Sequence, residues 1–359
     1  MTEQATVSRG PRRRPTQTDI AKRAGVSQAT VSLVLTGGDG TRIPEETRDR
    51  IMQAAAELGY APNPAARSLV GGRNHLLGFH TFENVFPADQ NDFYFPFLLG
   101  VEREATRQGY DLLLFSPETR GRRGSASTTP SRLWLADGCV LLGRHVDREL
   151  LSEIVRNDFP VVFIGRRELP DADIAYVGVD YERSTRRIVE RLIGLGHRVL
   201  GYIGEAGGGE QTQDRQRGYF DSVALLPEPE RSLKHSKPLT DEELARWIDR
   251  GVTAVLVEPG EDDGNVAALE ASARRLGISI PEQLSVAVLG DPAFTTTTRA
   301  DWTRFAVPRE LIAERAVRML VELLEGRAVE QHVLVDAIEE AGGTVAPPAG
   351  RTTDSERRS

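Results

Sequence analysis

Gln28, Ala29 and Leu33 lie in the stretch GVSQATVSLVLTG, Gly25 to Gly37, at a spacing that leaves all three uncovered on one short helix. Ser27 suits a helix N-cap, Gly25 a tight turn before it, and Gly37 with Gly38 a stop after Leu35. That allows about two and a half turns. At roughly 100° per residue, Val31, Val34 and Leu35 share an inner face, while Ala29 and Leu33 point outward beside Thr30 and Ser32. A glutamine so placed can make paired hydrogen bonds to adenine, and an alanine can meet a thymine methyl. A leucine there has no hydrogen-bonding group.

The neighbouring elements position this helix. Upstream, TQTDIAKRAG reads as a second short helix with Thr18 as its cap, Ile20, Ala21 and Ala24 as its inner face, and Gly25 as the turn between helices. Downstream, Pro44 to Leu58 reads as a third helix, with Ile51, Ala54, Ala55 and Leu58 spaced to close a small core. In the following APNPAARSLVGGR, Asn63 can cap, Pro64 suits the first helical position, and Gly71 with Gly72 stop the helix after about two turns. A helix that short is unstable alone and should order only against a partner chain or DNA.

TDIAKRAGVSQATVSLVLTG followed by PEETRDRIMQAAAELGYAPNPAARSLVGG, Thr18 to Gly72, closely resembles the DNA-binding headpiece of the LacI family of bacterial transcription regulators. The resemblance implies that Gln28, Ala29 and Leu33 face base edges in the major groove, with Thr18, Thr30 and Ser32 positioning phosphates. Leu33 departs from the polar or basic residue of many relatives. It is expected to touch a thymine or exclude water, the alternative being packing on the neighbouring loop. Leu69 matches the family's leucine that wedges into the minor groove, Ala66 is small enough for close helix approach, and Arg67 can reach phosphate. One hinge per subunit implies a homodimer on a palindromic operator.

Composition agrees with a multidomain soluble protein: 359 residues, 39% apolar and 27% charged. Residues 1–73 hold 11 Lys and Arg against 7 Asp and Glu, a net of +4, which leaves −12 on the remainder. Nucleic-acid binding is therefore expected to concentrate in the headpiece. No apolar run is long enough to span a bilayer, and MTEQATVSRGPRRRPTQ lacks a signal-peptide core, so a cytoplasmic location without membrane contact is expected. The lone Cys139 sits in the apolar run DGCVLLG and reads as a core thiol.

From His75 onward, short apolar runs such as LLGFHTF, DGCVLLG, PVVFIG, VLGYIGE and LSVAVLG alternate with amphipathic helices, the order of doubly wound parallel sheets. The fold expected is an all-α helix-turn-helix headpiece joined to an α/β core. By resemblance, that core is two doubly wound, periplasmic-binding-protein-like subdomains crossed three times, near Tyr176, Ala300 and Gln331. The expected layout has a disordered basic tail (1–15), the helix-turn-helix domain (16–60), the hinge helix (61–73) and the core (74–340). Within the core, the first subdomain takes about 74–176 and 301–330, and the second about 177–300 and 331–340. A disordered tail without heptads (341–359) completes it.

An effector should bind between the subdomains, near the C-terminal ends of the strands. Phe93 and Tyr94, in NDFYFPF, are placed to stack on a ring, whereas Phe97 and Leu98 suit helix packing. Arg215, three residues before Gly218, matches the family's effector-binding arginine, with a surface salt bridge as the alternative. Relatives have an acidic SND-like turn at VEPGEDDG and a GFDD-like turn at VLGDP, where Gly290 replaces the first acid and Asp291 remains. Asp291 is expected at the ligand or capping the next segment, and Trp302 in the cleft or in the core. The effector class expected is a small molecule, a carbohydrate or a non-sugar.

Enzymatic readings find little support. GEAGGGEQ has neither the lysine of a P-loop nor GxGxxG spacing, the six histidines show no metal-ligand spacing, and no serine lies in a GxSxG setting. No catalytic residue, metal or cofactor is expected. The function expected is a sequence-specific repressor under small-molecule control, the alternative being a constitutive DNA-binding regulator whose pocket has decayed.

Overall fold

The computed structural model describes residues 15–35, 43–60, 73–82, 93–115, 132–144, 146–204, 208–228, 233–235, 239–259, 264–292 and 301–349. The chain forms two compact units, Met1–Leu76 and Leu77–Ser359.

The first unit is built from α1 (Gln17–Ala24), α2 (Gln28–Leu35) and α3 (Glu45–Leu58). Ile20, Val31 and Ile51 are completely buried where the three meet, and Ala21, Ala24, Ala54 and Ala55 fill the remaining space. With four alanines the helices can approach closely, and a very small core suffices. Gly25 adopts φ 69° between α1 and α2, a left-handed conformation that side chains disfavour. The cap of α1 corrects the sequence expectation: it is Thr16, not Thr18. The Asp19 carboxylate accepts from the Thr16 amide at 2.8 Å and from its hydroxyl at 2.7 Å. The acid three residues after Thr16 selects that threonine, which puts Thr18 inside the first turn.

The second unit contains two six-stranded sheets. One has the order β11-β5-β4-β3-β1-β2, comprising β1 (Leu76–Thr81), β2 (Asp111–Phe115), β3 (Gly138–Leu142), β4 (Val161–Ile164), β5 (Tyr176–Val179) and β11 (His332–Val335). The other has the order β12-β10-β9-β8-β6-β7, comprising β6 (Leu200–Ile203), β7 (Leu233–His235), β8 (Ala254–Val257), β9 (Ser285–Val288), β10 (Thr303–Ala306) and β12 (Ile338–Glu340). β1, β3, β4, β5 and β11 pair in parallel, as do β7, β6, β8, β9 and β10, while β12 runs antiparallel to β10. Runs such as Val161–Ile164 and Ala254–Val257 are buried at every position, as strands covered by helices on both faces must be.

Sheet membership corrects the crossings. β5 belongs wholly to the first sheet, so the first passage follows Val179, not Tyr176. β10 lies in the second sheet, and the chain returns after Ala306, not Ala300, to form the helix Arg309–Leu324 in the core of the first subdomain. β11 pairs with β5, so the last passage follows Val335, not Gln331. In each case the strand uses up its hydrogen-bonding partners before the chain leaves, which hydropathy alone does not mark.

The expected disordered tail is also corrected over 341–349. Thr344 is completely buried, its carbonyl accepts from the Val286 amide at 2.7 Å, and its hydroxyl donates to the Val286 carbonyl at 2.6 Å. Ala346 is held by the Ser285 hydroxyl and by His197, 2.9 Å from its carbonyl. This segment satisfies backbone groups of β9 beyond the reach of β10, a role that its Ala, Gly and Pro composition conceals.

Helices Tyr181–Gly194 and Glu210–Val223 pack together with unusual closeness at Gly218, where an added Cβ would stand 2.3 Å from the Glu182 carbonyl oxygen and 3.1 Å from Thr185. Since a backbone atom cannot yield as a side-chain tip can, Gly218→Ala is expected to lower the unfolding free energy by roughly 1–3 kcal/mol, read as a reduced urea midpoint of the isolated chain.

Candidate functional site

The helix-turn-helix presents a bare face. Gln28 and Ala29 are exposed and Leu33 is 40% exposed, whereas Val31 on the opposite side is completely buried. The Ser27 hydroxyl oxygen accepts from the Thr30 amide at 3.1 Å, and the two hydroxyls lie 2.8 Å apart, so Thr30 begins the helix with its side chain already engaged. Gln28 donates through Nε2 to Oε1 of Gln17 at 3.1 Å, which steadies a long side chain from the first residue of α1. Thr18 is exposed, and Thr30 and Ser32 are half-buried. Gln17 was missed in the sequence reading because its partner lies on the other helix. The hinge candidates Ala66, Arg67 and Leu69 lie outside the described residues.

In the second unit, functional side chains gather at the C-terminal ends of β5, β8 and β9. Arg215, on helix Glu210–Val223, is 8% exposed, and its guanidinium lies over the Tyr181 ring at 4.0 Å. Glu258, just after β8, is its ion-pair partner at 3.7 Å, beyond hydrogen-bonding distance. Glu258 is itself engaged: it accepts from the Tyr202 hydroxyl and, at 3.0 Å, from the Thr212 hydroxyl. Burial, followed by the Glu258 charge, pushes the Tyr202 phenol well above its ordinary range, so Tyr202 remains a donor. A surface salt bridge is excluded for Arg215 by its depth.

Asp291 is engaged by three donors. Its carboxylate accepts from Arg304, from the Val307 amide at 3.1 Å and from Arg309 at 2.7 Å. It ties the end of β9 to the second crossing and to the start of helix Arg309–Leu324, in keeping with the capping alternative. Around Phe93, the guanidiniums of Arg309 and Arg144 stand 4.9 and 5.1 Å from its ring centre, and Tyr94 and Phe97 pack against it. Its ring is a platform for cations. Tyr94 packs against the first core. Trp302 is 2% exposed in the second core, beside Trp247 and Val286, and does not line the cleft.

An ion-pair latch joins the subdomains a short way along. Arg166, after β4, grips Asp214 with two hydrogen bonds, Nε to Oδ2 at 3.0 Å and Nη2 to Oδ1 at 2.8 Å. Glu210 receives Arg148 at 2.9 Å and Arg167 at 3.2 Å, along with the Glu168 amide at 3.2 Å. Burial alone would raise the Glu210 carboxyl, but backbone amides and the two arginines outweigh it and hold the group below its ordinary range. The Arg166–Asp214 pair pulls in opposite directions: burial lifts the Asp214 carboxyl despite the fork, while Asp214 raises Arg166 despite its burial. Two direct charge-assisted bonds identify the pair as ionic at neutral pH. Sequence reasoning missed this latch, since the RRE at 166–168 and the acids flanking Arg215 show no local pattern.

Among the described residues no group of His, Cys, Asp or Glu could hold a metal ion, and no helix is long and apolar enough to cross a membrane. Glu210→Gln should destabilise the second unit by roughly 3 kcal/mol at neutral pH, the lower end of what unpairing a buried charge costs because Arg148 is half exposed. A carboxyl whose pKa is lowered on folding stabilises above its usual range and loses that contribution as pH falls through the lowered value. Urea unfolding at neutral and acid pH should therefore show the difference between variant and parent shrinking in acid.

Both units resemble known proteins. Residues 16–63 match Bacterial regulatory proteins, lacI family, and residues 189–340 match a periplasmic binding protein-like domain. The HTH-type transcriptional regulator CelR of Thermobifida fusca is 29% identical over 340 residues, covering 90% of this chain and 96% of that protein. The regulator AscG of Escherichia coli (strain K12) is 26% identical, covering 87% and 92%. A solved Lac repressor dimer bound to operator and the anti-inducer ONPF shares the fold, with TM-score 0.66 and 20% identity over 93% of this chain and 100% of that one. A CelR–cellobiose complex does so with TM-score 0.59 and 24% identity, covering 92% and 100%. The chain thus combines a lacI-family DNA-binding domain with a periplasmic binding protein-like domain, and the proteins it is similar to over most of its length are helix-turn-helix transcriptional regulators.

Proposed function

We propose that the protein is a repressor that binds a palindromic operator as a homodimer and is controlled by a small molecule held between its two sheets. The observation that carries this reading is the uncovered face of α2, where Gln28, Ala29 and Leu33 stand outward on a helix whose other side buries Val31 and packs Val34 and Leu35 against the core. Nothing in the headpiece core needs those side chains outside. Gln28 is the adenine reader, Ala29 and Leu33 offer apolar contact to thymine methyls, and Thr18, Thr30 and Ser32 set register on phosphates. The hinge residues Ala66, Arg67 and Leu69 extend the contact into the minor groove, with Leu69 as the wedge. Support for two-fold assembly and for an effector comes from the Lac repressor dimer on its operator and the CelR complex with cellobiose.

The effector would bind at the strand ends around Arg215. Differential affinity for two relative arrangements of the subdomains, worth about 1–3 kcal/mol, suffices to regulate. A constitutive regulator is the second reading, favoured by one observation: Gly290 replaces an acid and Asp291 has its oxygens taken.

Selection of genomic fragments on the purified protein at about physiological salt tests the first reading. A palindrome should be enriched, and recovery of unrelated sequences would overturn specific recognition. Gln28→Ala should reduce discrimination at one adenine of each half-site by about 1–3 kcal/mol without abolishing binding. Leu69→Ala should weaken operator binding while sparing nonspecific DNA, and normal operator affinity in that variant would remove the wedge from the mechanism.

A further inference from the structure

The outward face of α2 begins with a side chain that is already held. Gln28 opens α2 and Gln17 opens α1, and Gln28 Nε2 donates to Gln17 Oε1 at 3.1 Å. Each of the two backbones is fixed by its own helix start. Thr16, beside Gln17, donates to the Asp19 carboxylate through its amide at 2.8 Å and its hydroxyl at 2.7 Å, and Ser27, beside Gln28, accepts from the Thr30 amide at 3.1 Å. Ile20 of α1 and Val31 of α2 are completely buried in one core, which holds the two starts at a set separation. Gln17 is half-buried and Gln28 exposed. The acceptor has thus already given up part of its side-chain freedom, which lowers the entropic cost of holding the donor.

The bond decides which groups Gln28 has left. A primary amide carries two N–H donors and one carbonyl acceptor. With one hydrogen given to Gln17, Gln28 keeps a single donor and its carbonyl oxygen. Adenine presents the complement in the major groove, N7 as acceptor and N6 as donor. Guanine presents two acceptors, N7 and O6, and would draw on both hydrogens of the amide. A glutamine free to turn can offer them. The held one can do so only by breaking its bond to Gln17, and otherwise it sets its carbonyl oxygen against guanine O6.

We infer that Gln17 is the residue that makes Gln28 selective: by accepting one amide hydrogen it fixes the edge turned to the groove, so that a side chain able to serve either purine takes adenine and rejects guanine. Gln17 is a positioning residue and acts through Gln28. The inference rests on the reading of Gln28 as the adenine reader and deepens it.

The test uses the full chain and the operator fragment recovered by selection on genomic DNA. The adenine whose preference is lost in Gln28→Ala is replaced by guanine in one half-site, with the paired base changed to match. Equilibrium binding to the two fragments gives an adenine-to-guanine affinity ratio, which a mere loss of headpiece stability leaves unmoved because it weakens both alike. Gln17→Leu removes the acceptor and should cut the ratio about three- to tenfold. Gln17→Glu keeps an acceptor oxygen and should retain the ratio, although its charge weakens binding to both fragments. In the Gln28→Ala background, Gln17→Leu should have no effect on the ratio. Should the leucine variant bind neither fragment, Gln17→Met is read in its place. An unchanged ratio in Gln17→Leu, or an equal loss in Gln17→Glu, overturns the inference while leaving Gln28 as the reader. A loss that persists without the Gln28 amide also overturns it, by showing that Gln17 meets the base itself. If Gln28→Ala relaxes preference at no adenine, the reading of Gln28 fails, and this inference fails with it.

Discussion

The Asp291 carboxylate, gripping two arginines and a backbone amide, is the contact on which the two-sheet unit most depends. It stands at the end of β9, yet its donors come from β10, from the crossing at Val307 and from the first turn of Arg309–Leu324. A charge so enclosed is tolerable because both of its oxygens are hydrogen-bonded, and each donor in turn fixes one element. Through Arg309 the arrangement reaches the Phe93 platform, and through the adjoining glycine it borders Arg215. The latch of Arg148, Arg166 and Arg167 on Glu210 and Asp214 makes the same kind of connection between subdomains. Such ionic contacts are weak sources of net stability but demanding in geometry, which suits an interface that must choose between discrete arrangements.

The headpiece follows a different logic. It contains hardly any buried polar chemistry, only three large aliphatic side chains and four alanines. The inter-helix ion pair Arg23 to Glu57, at 2.7 Å, is exposed and contributes little. Marginal packing leaves the outer face of α2 free of structural duties, so residues there can answer to DNA without compromising the fold.

Much of this was legible from residue order. The i, i+3, i+4 pattern of Val31, Val34 and Leu35 placed Gln28, Ala29 and Leu33 outward, and short apolar runs marked eight of the core strands. Arg215 was singled out by resemblance to the family's arginine three residues before Gly218. What escaped were features set by partners remote in sequence. Thr16 rather than Thr18 caps α1 because of Asp19, Asp291 is taken by residues beyond it in the chain, and Trp302 faces a core that requires the second sheet to exist. The strands β7, β11 and β12 are short or exposed at most positions, and periodicity hardly registers them. Thr344 makes the point most sharply, since its burial follows from an unfilled edge of β9.

The threading of the core carries a consequence for how the chain reaches its native state. The second subdomain is inserted between β5 and the helix Arg309–Leu324, and that helix contributes Ala313, Ala316, Val317 and Leu320, all completely buried, to the first hydrophobic core. β11 then completes the first sheet by pairing with β5. During synthesis, the earlier half must therefore wait, its apolar face open, until nearly the whole polypeptide has emerged. Closing that long loop is entropically slow and leaves an intermediate exposed to misassembly, so the nascent protein is a natural client for chaperones.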